Sequence, residues 1–112
     1  MEENIMKKLF AVFVSVAVVG VLVAACYAKD KGPSGEALFK EHCAVCHPDG
    51  GNIINAKFAL HEKDLKAQGI TKPEDIVNKM RNPGPGMTKF DQKTISDKDA
   101  SKIAEYVLKT FK

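Results

Sequence analysis

The pattern of apolar and polar positions divides this chain into two parts. A mostly apolar run without charges extends from Leu9 to Ala25 and follows the basic pair at positions 7 and 8. From residue 35 onward, apolar side chains recur in short groups at a spacing of three and four, which is typical of amphipathic helices. No segment after residue 30 has the alternation of a β-strand. The pattern therefore predicts an all-α domain of short helices behind an apolar N-terminal segment.

Two helices are predicted at the start of this domain. Ser34 can accept a hydrogen bond from the backbone of a helix that begins near Gly35, and this first helix leads directly to Cys43. A short second helix is expected over residues 60–68, with Gly69 as its stop.

The third helix begins at a capping-box pattern with proline in the first turn. Thr71-Lys72-Pro73-Glu74 has this form, and the apolar spacing extends the helix to about Arg81. One side of the helix carries three apolar residues: Ile76, Val77 and Met80.

The last helix is predicted to start at Ser96–Asp99, where an acidic residue again follows the cap by three positions. It is long enough to pack across the first helix, which would bring Phe39 or Leu38 near Tyr106. Its apolar residues repeat at helical spacing: Ile103, Val107, Leu108 and Phe111.

The segments between the helices contain turn residues and apolar residues without a clear period. Residues 48–52 are Pro, Asp, Gly, Gly and Asn, which favour a turn. Residues 53–60 indicate a loop laid over a flat apolar surface, with an ordinary packed loop as the alternative. Prolines and glycines in Asn82–Gly86 exclude a helix there. Met87 follows directly, and packing on an apolar helical face does not explain a methionine at that place.

The strongest chemical motif is Cys-Ala-Val-Cys-His at positions 43–47. A Cys-x-x-Cys-His sequence is typical of covalent haem attachment, because two intervening residues let both sulfurs reach the vinyl-derived carbons of one porphyrin. Cys43 and Cys46 are therefore predicted to form thioethers, and His47 is brought under the metal as an iron ligand.

Three other sites use the same cysteines. A thioredoxin-like redox pair would need strands around a helix, which the pattern does not predict. A structural zinc ion would take Cys43, Cys46 and His47 with His42 or His61 as the fourth ligand, and no second paired ligand motif is present. A structural disulfide between the two cysteines of the motif is the third alternative.

The N-terminal segment has the order of a secretory signal, with basic, apolar and small residues in succession. Val23-Ala24-Ala25-Cys26 resembles the lipobox of bacterial lipoproteins, in which the chain is cut before a cysteine that then carries lipid. The predicted organisation is a signal peptide over residues 1–25, a lipid-anchored tether over 26–34 and a domain over 35–112. Several acyl chains on Cys26 would give stable anchoring.

Two alternatives to a lipid anchor remain open. Cleavage after Ala28 would leave a soluble periplasmic protein, and an uncleaved segment would form a membrane helix. A start at Met6 would give a cleaner basic leader than a start at Met1, because Glu2 and Glu3 fit such a leader poorly. All of these alternatives place the domain outside the cytoplasm, where c-type haem is attached.

Length and charge exclude other classes of function. A chain of 112 residues holds one domain at most, and its formal net charge is +3. The lysines are spread between acidic residues and form no patch, so nucleic acid is excluded as a partner. Some of them could steer an acidic redox partner, although a solvated face is the more common role: Lys57, Lys63, Lys66, Lys79, Lys89 and Lys93.

Residues 35–112 resemble the class I c-type cytochromes, and most of all the small photosynthetic-type monohaem cytochromes. The residues that carry this resemblance are Gly35, Phe39, the motif at 43–47, Gly-Gly-Asn at 50–52, Met87 on a loop and Tyr-Val-Leu at 106–108. With the lipobox, the chain is also similar to the monohaem outer-membrane lipoprotein cytochromes of metal-reducing bacteria. The resemblance implies a class I cytochrome c fold, in which three to five short helices enclose one covalently bound haem c.

The resemblance also implies axial ligation of the haem iron by His47 and Met87. Met80 is a rival ligand, but its helical spacing is that of a core residue. His61 and His42 are further rivals, for which exposed or helix-capping roles are more typical. The family often has proline after the distal methionine, where this chain has Thr88, and a glutamine beside the haem, where this chain has Lys79.

A haem with both axial positions filled predicts an electron carrier and not an enzyme. The expected partners are redox proteins of a respiratory chain, such as other cytochromes. The expected location is the bacterial cell envelope, on the periplasmic side of the outer membrane. A haem enzyme or a sensor of gas or peroxide, with an open distal position, is the alternative. A lipoprotein whose haem only stabilises an assembly or assists the maturation of other cytochromes is a third class.

Overall fold

The computed structural model describes residues 2–13 and 30–112, which belong to two units, Met1–Gly32 and Pro33–Lys112. In the first unit, residues 2–13 are helical and expose large apolar side chains such as Phe10 and Phe13. Cys26 and both expected cleavage sites lie outside the described residues. Across the two described ranges, none of the helices has the length and apolar character needed to cross a membrane.

The second unit contains four α-helices and two short 3-10 turns. The described residues contain no β-strand. The predicted all-α fold with three to five short helices is therefore confirmed. The helices are α1 (Gly35–His42), α2 (Glu62–Ala67), α3 (Pro73–Arg81) and α4 (Asp97–Thr110), and the turns are Pro48–Gly50 and Ala56–Phe58.

Local sequence explains where three of these helices begin or end. The Ser34 hydroxyl accepts a hydrogen bond from the backbone N–H of Ala37 at 3.1 Å, as predicted for the start of α1. The Ser96 hydroxyl accepts from the N–H of Asp99 at 3.2 Å at the start of α4. Gly69 follows α2 with a φ of 74°, a conformation that glycine adopts without steric cost.

Two predicted helix starts are wrong by one or two residues. Helix α2 begins at Glu62 and not at Leu60, because the backbone of His61 is extended, with φ −68° and ψ 147°, and His61 is therefore the N-cap. Proline occupies the first position of α3, so its N-cap is Lys72 and its third helical residue is Asp75. The Asp75 carboxylate, and not that of Glu74, accepts the backbone N–H of Lys72 at 3.2 Å.

The core lies where α1 and α3 pack against α4. Ala100 and Ala104 of α4 are fully buried. The Phe39 ring of α1 lies 5.4 Å from that of Tyr106 and 5.3 Å from that of Phe111, which confirms the predicted contact between the first and last helices. Helix α4 is therefore the element on which α1 and α3 are positioned.

Candidate haem site

A cavity of about 440 Å³ opens inside the Pro33–Lys112 unit. All four helices line it, through residues that include Phe39, Leu65, Ile76 and Ile103. The volume is within the range of pockets that enclose small molecules and cofactors. Among the lining residues in the described chain, Lys79 is the only Lys, Arg, Asp or Glu. The cavity therefore fits a large, mostly apolar group.

The predicted haem motif forms a turn at the wall of this cavity. Helix α1 ends where the N–H of Cys43 bonds to the carbonyl of Phe39 at 2.8 Å. The N–H groups of Cys46 and His47 then bond back to the carbonyl of Cys43, at 3.1 and 2.9 Å. This turn brings Cys43, Cys46 and His47 to the same cavity wall.

The imidazole of His47 is held in one orientation. Its Nδ1 lies 2.8 Å from the carbonyl oxygen of Gly51, and its exposed fraction is 9%. A carbonyl can only accept, so Nδ1 donates its proton in this bond, and in the neutral imidazole Nε2 keeps its lone pair. A hydrogen bond of this kind fixes the tautomer of a metal-binding histidine and raises its basicity. His47 therefore has the form that a metal ligand requires.

The two cysteines of the motif form no disulfide in the structure. Burial raises the pKa of the Cys43 thiol to about 11, so this thiol is protonated at neutral pH. Cys43 also caps the C-terminal end of α1, whereas reactive thiolates are stabilised at helix N-termini. These features do not fit a thioredoxin-like redox pair. In residues 2–13 and 30–112, no group of three or more His, Cys, Asp and Glu side chains is arranged to hold a metal ion.

The loop over residues 52–58 forms another wall, and Asn52 organises it. The Asn52 side-chain oxygen accepts the N–H groups of Ile54 and Asn55, both at 2.9 Å. Its amide nitrogen donates to the carbonyl of Phe58 at 3.2 Å. Ile54 and Phe58 line the cavity, although 64% and 51% of their surfaces are exposed. This is the arrangement predicted for a loop laid over a flat apolar group, whereas the organising role of Asn52 was not predicted.

Met87 and Met80 both line the cavity from the region around the end of α3. Met80 is 3% exposed and belongs to the core, as predicted. Met87 lies on the loop after α3 and is 36% exposed. A side chain added at Gly86 would touch Ile54, so the loop that carries Met87 and the 52–58 loop meet at the cavity. The structure therefore brings the predicted distal methionine to the same cavity as His47.

The other two histidines take positions that the sequence did not predict. His42 is half-buried, lines the cavity and packs edge-on against Phe90 with 6.2 Å between ring centres, so it is neither exposed nor a helix cap. His61 occupies the N-cap position of α2, but its side chain makes no capping bond. Its ring packs edge-on against Phe111 at 6.3 Å, away from the cavity lining. Aromatic neighbours from distant parts of the chain decide both placements.

Comparisons with known proteins agree with this fold. The family model described as cytochrome c oxidase, cbb3-type, subunit III matches residues 30–107. Cytochrome c6 of Cyanidium caldarium is 35% identical over 74 residues, which are 66% of this chain and 66% of that protein. Cytochrome c6 of Rippkaea orientalis is 30% identical over 106 residues, which are 95% of this chain and 92% of that protein.

A solved structure shares the fold over the same region. OmcF, the outer-membrane cytochrome F of Geobacter sulfurreducens, is 43% identical, with a TM-score of 0.69. The match covers 70% of this chain and 100% of that chain. The resemblances to photosynthetic-type and outer-membrane cytochromes are thus confirmed, and so is the predicted haem cofactor. The chain belongs to the monohaem class I c-type cytochromes, a family of electron carriers with one covalently bound haem.

Proposed function

We propose that this protein carries electrons through one haem c held in the cavity, with thioethers to Cys43 and Cys46 and axial ligation by His47 and Met87. The observation that carries the proposal is the orientation of His47, whose Nδ1 bonds to the carbonyl of Gly51 at 2.8 Å and so leaves Nε2 as the nitrogen available to a metal. Both cysteines of the motif and the loop methionine line the same cavity.

The side chains of the cavity suit electron transfer better than catalysis on a bound substrate. When bound, the haem supplies an iron that alternates between the ferric and ferrous states. The soft thioether of Met87 favours the ferrous state and raises the reduction potential, and the apolar walls disfavour the extra charge of the ferric state. With His47 and Met87 on the two axial positions, no position remains for a substrate. The protein therefore acts as a carrier and not as an enzyme.

Replacement of Met87 by leucine is expected to abolish the weak near-infrared band of methionine-ligated ferric haem. The same variant should lower the reduction potential, because the ligand that favours ferrous iron is lost. The measurement is an absorption spectrum from the ultraviolet to the near-infrared, with a redox titration, on periplasmically expressed holoprotein. Met80→Leu is the matched control, since a swap of similar volume in the core costs less than about 1.5 kcal/mol and should keep the band.

Loss of the band in Met80→Leu but not in Met87→Leu would assign the distal position to Met80 and reject Met87. A high-spin ferric spectrum in the wild-type protein would show an open iron and favour the haem enzyme or the sensor of gas or peroxide.

The same samples test whether the protein exchanges electrons with a redox partner. Electron exchange with another respiratory c-type cytochrome should be fast for the wild-type protein and for Met80→Leu, and slower for Met87→Leu.

We further propose that the domain is anchored by lipid on Cys26 to the periplasmic face of the outer membrane, with residues 26–34 as a tether. Support comes from the lipobox-like sequence at 23–26 and from the similarity to an outer-membrane cytochrome. The expected redox partners are other proteins of the respiratory chain in the same compartment.

Replacement of Cys26 by serine is expected to move the holoprotein from the membrane fraction to the soluble periplasmic fraction. Several acyl chains anchor a protein stably, and their loss leaves no comparable attachment. The measurement is fractionation of cells that express the full chain, with detection of the covalent haem. Tyr27→Ser, at the next position, is the control and should stay with the membrane. A Cys26→Ser protein that remains in the membrane fraction would indicate an uncleaved helical anchor instead.

A further inference from the structure

The segment between α3 and α4 begins with a loop over residues 82–90, named here the Met87 loop, whose two ends lie close together. Within it, the N–H of Met87 bonds to the carbonyl of Gly84 at a long 3.4 Å. Two prolines and two glycines in this loop limit backbone hydrogen bonding and add conformational freedom. The position of Met87 must therefore depend on how the two ends of the loop are held.

Arg81, the last residue of α3, joins both ends of this loop to α4. Its Nη1 donates to the carbonyl of Phe90 at 3.0 Å, and its Nη2 lies 2.8 Å from the carboxylate of Asp97 in the first turn of α4. The N–H of Phe90 bonds to the carbonyl of Met80 at 2.9 Å. The Arg81 side chain is only 17% exposed and its bond to the Phe90 carbonyl is partly buried, whereas the Asp97 carboxylate is open to solvent. Charge-assisted hydrogen bonds of this kind are stronger than neutral ones.

Phe90 connects the bridge to the cavity. Its ring lines the cavity and packs against His42, while its carbonyl is the acceptor for Arg81. Gln92 supports the same arrangement, because its side-chain amide donates to the Asp97 carboxylate at 3.1 Å. Loss of the guanidinium would release the Phe90 carbonyl and detach the loop from α4.

We propose that Arg81 is a positioning residue that holds the Met87 loop closed and so keeps the Met87 thioether on the haem iron. This inference rests on the proposed axial ligation by Met87. Arg81 does not itself line the cavity, and it acts through its bonds to Phe90 and Asp97.

Imidazole is a direct probe of loop opening, because it binds ferric haem only while the methionine is off the iron. At saturating imidazole, the rate of binding equals the rate at which the loop opens. For holoprotein with Arg81→Gln, we expect this rate to rise roughly tenfold or more, as the loss of charge-assisted hydrogen bonds implies. The near-infrared band at rest and the helical circular dichroism should stay close to those of the wild type.

Three further variants make the test specific. Lys109→Gln removes one positive charge at the other end of α4, about 18 Å from Asp97 at 1.5 Å per residue, and should leave the rate unchanged. Arg81→Lys keeps the charge but cannot reach two acceptors in a fork, so it should restore only part of the wild-type behaviour. Asp97→Asn should raise the rate less than Arg81→Gln does, and the two changes should not be additive, because they share one interaction.

An imidazole rate for Arg81→Gln within twofold of the wild-type rate would overturn the inference. So would an equal increase in Lys109→Gln, since the effect would then follow net charge. If Arg81→Gln does not fold, the same twofold limit is applied to the imidazole-binding rate of Asp97→Asn, and a rate within that limit overturns the inference. A wild-type protein without the methionine band would reject the proposed ligation itself, and that outcome is visible before any variant is made.

Discussion

The double variant Cys43→Ser/Cys46→Ser is expected to retain no haem after denaturation and acid–acetone extraction, whereas the wild-type protein keeps all of it. A serine hydroxyl cannot form the thioether, and ligation by two side chains alone does not survive unfolding. Both cysteines lie on one turn at the cavity wall, where the N–H of Cys46 bonds to the carbonyl of Cys43 at 3.1 Å. Each single variant should keep one thioether and therefore part of the haem.

Folding of the double variant should fail along with haem retention. A core in a domain of this size supplies on the order of 3–5 kcal/mol of stability. The cavity of about 440 Å³ takes up much of the space that a larger core would fill, and apolar side chains such as Ile54 and Phe58 are exposed around it. Circular dichroism at 25 °C and a urea titration should show a weakly cooperative transition, if any.

Val45→Ser is the matched control for this double variant. Val45 lies between the two cysteines, is 76% exposed and leaves the spacing of the motif intact when it is replaced. Its haem content and its unfolding midpoint should equal those of the wild type. Covalent haem in the double variant, or an unchanged midpoint, would contradict the assignment of Cys43 and Cys46.

Features that depend on neighbours along the chain could be predicted from the sequence. The hydroxyls of Ser34 and Ser96 cap their helices as expected, and Gly69 ends α2. The stretch Cys43 to His47 needs only its own turn to bring both thiols and the imidazole together, so short-range geometry was enough. The start of α3 was missed by one residue because proline fixes the first helical position and moves the cap to Lys72.

Features that depend on contacts between distant segments could not be predicted. The sequence near Arg81 does not indicate that Asp97 is its partner, because the two residues come together only when α3 and α4 pack. The place of His42 against Phe90 has the same origin. Asn52 is partly predictable, because asparagine is typical of turns. The sequence does not indicate, however, that its side chain bonds to three backbone groups of a cavity wall.

The close crossing of α1 and α4 also depends on contacts between distant segments of the chain. Gly35 lies against the backbone of α4, where an added Cβ would collide with the carbonyl group of Lys102 and lie 3.0 Å from the Cβ of Tyr106. Helix propensity alone would make Gly35→Ala stabilising, by up to about 1 kcal/mol. The collision is with backbone, which cannot rotate away, so α1 and α4 must move apart.

We therefore expect Gly35→Ala to lower the free energy of unfolding by about 2 kcal/mol, within the cost of overpacking a core. Denaturant titration of the holoprotein measures it. Ala37→Gly, at an exposed position of the same helix, isolates the propensity term and should cost about 1 kcal/mol. A stabilised Gly35→Ala protein would mean that the helices have room at this crossing. Helix α1 leads directly into Cys43, and α4 lines the cavity through Ile103 and Val107. Separating these helices should therefore also weaken the near-infrared methionine band, which a change in propensity alone would leave intact.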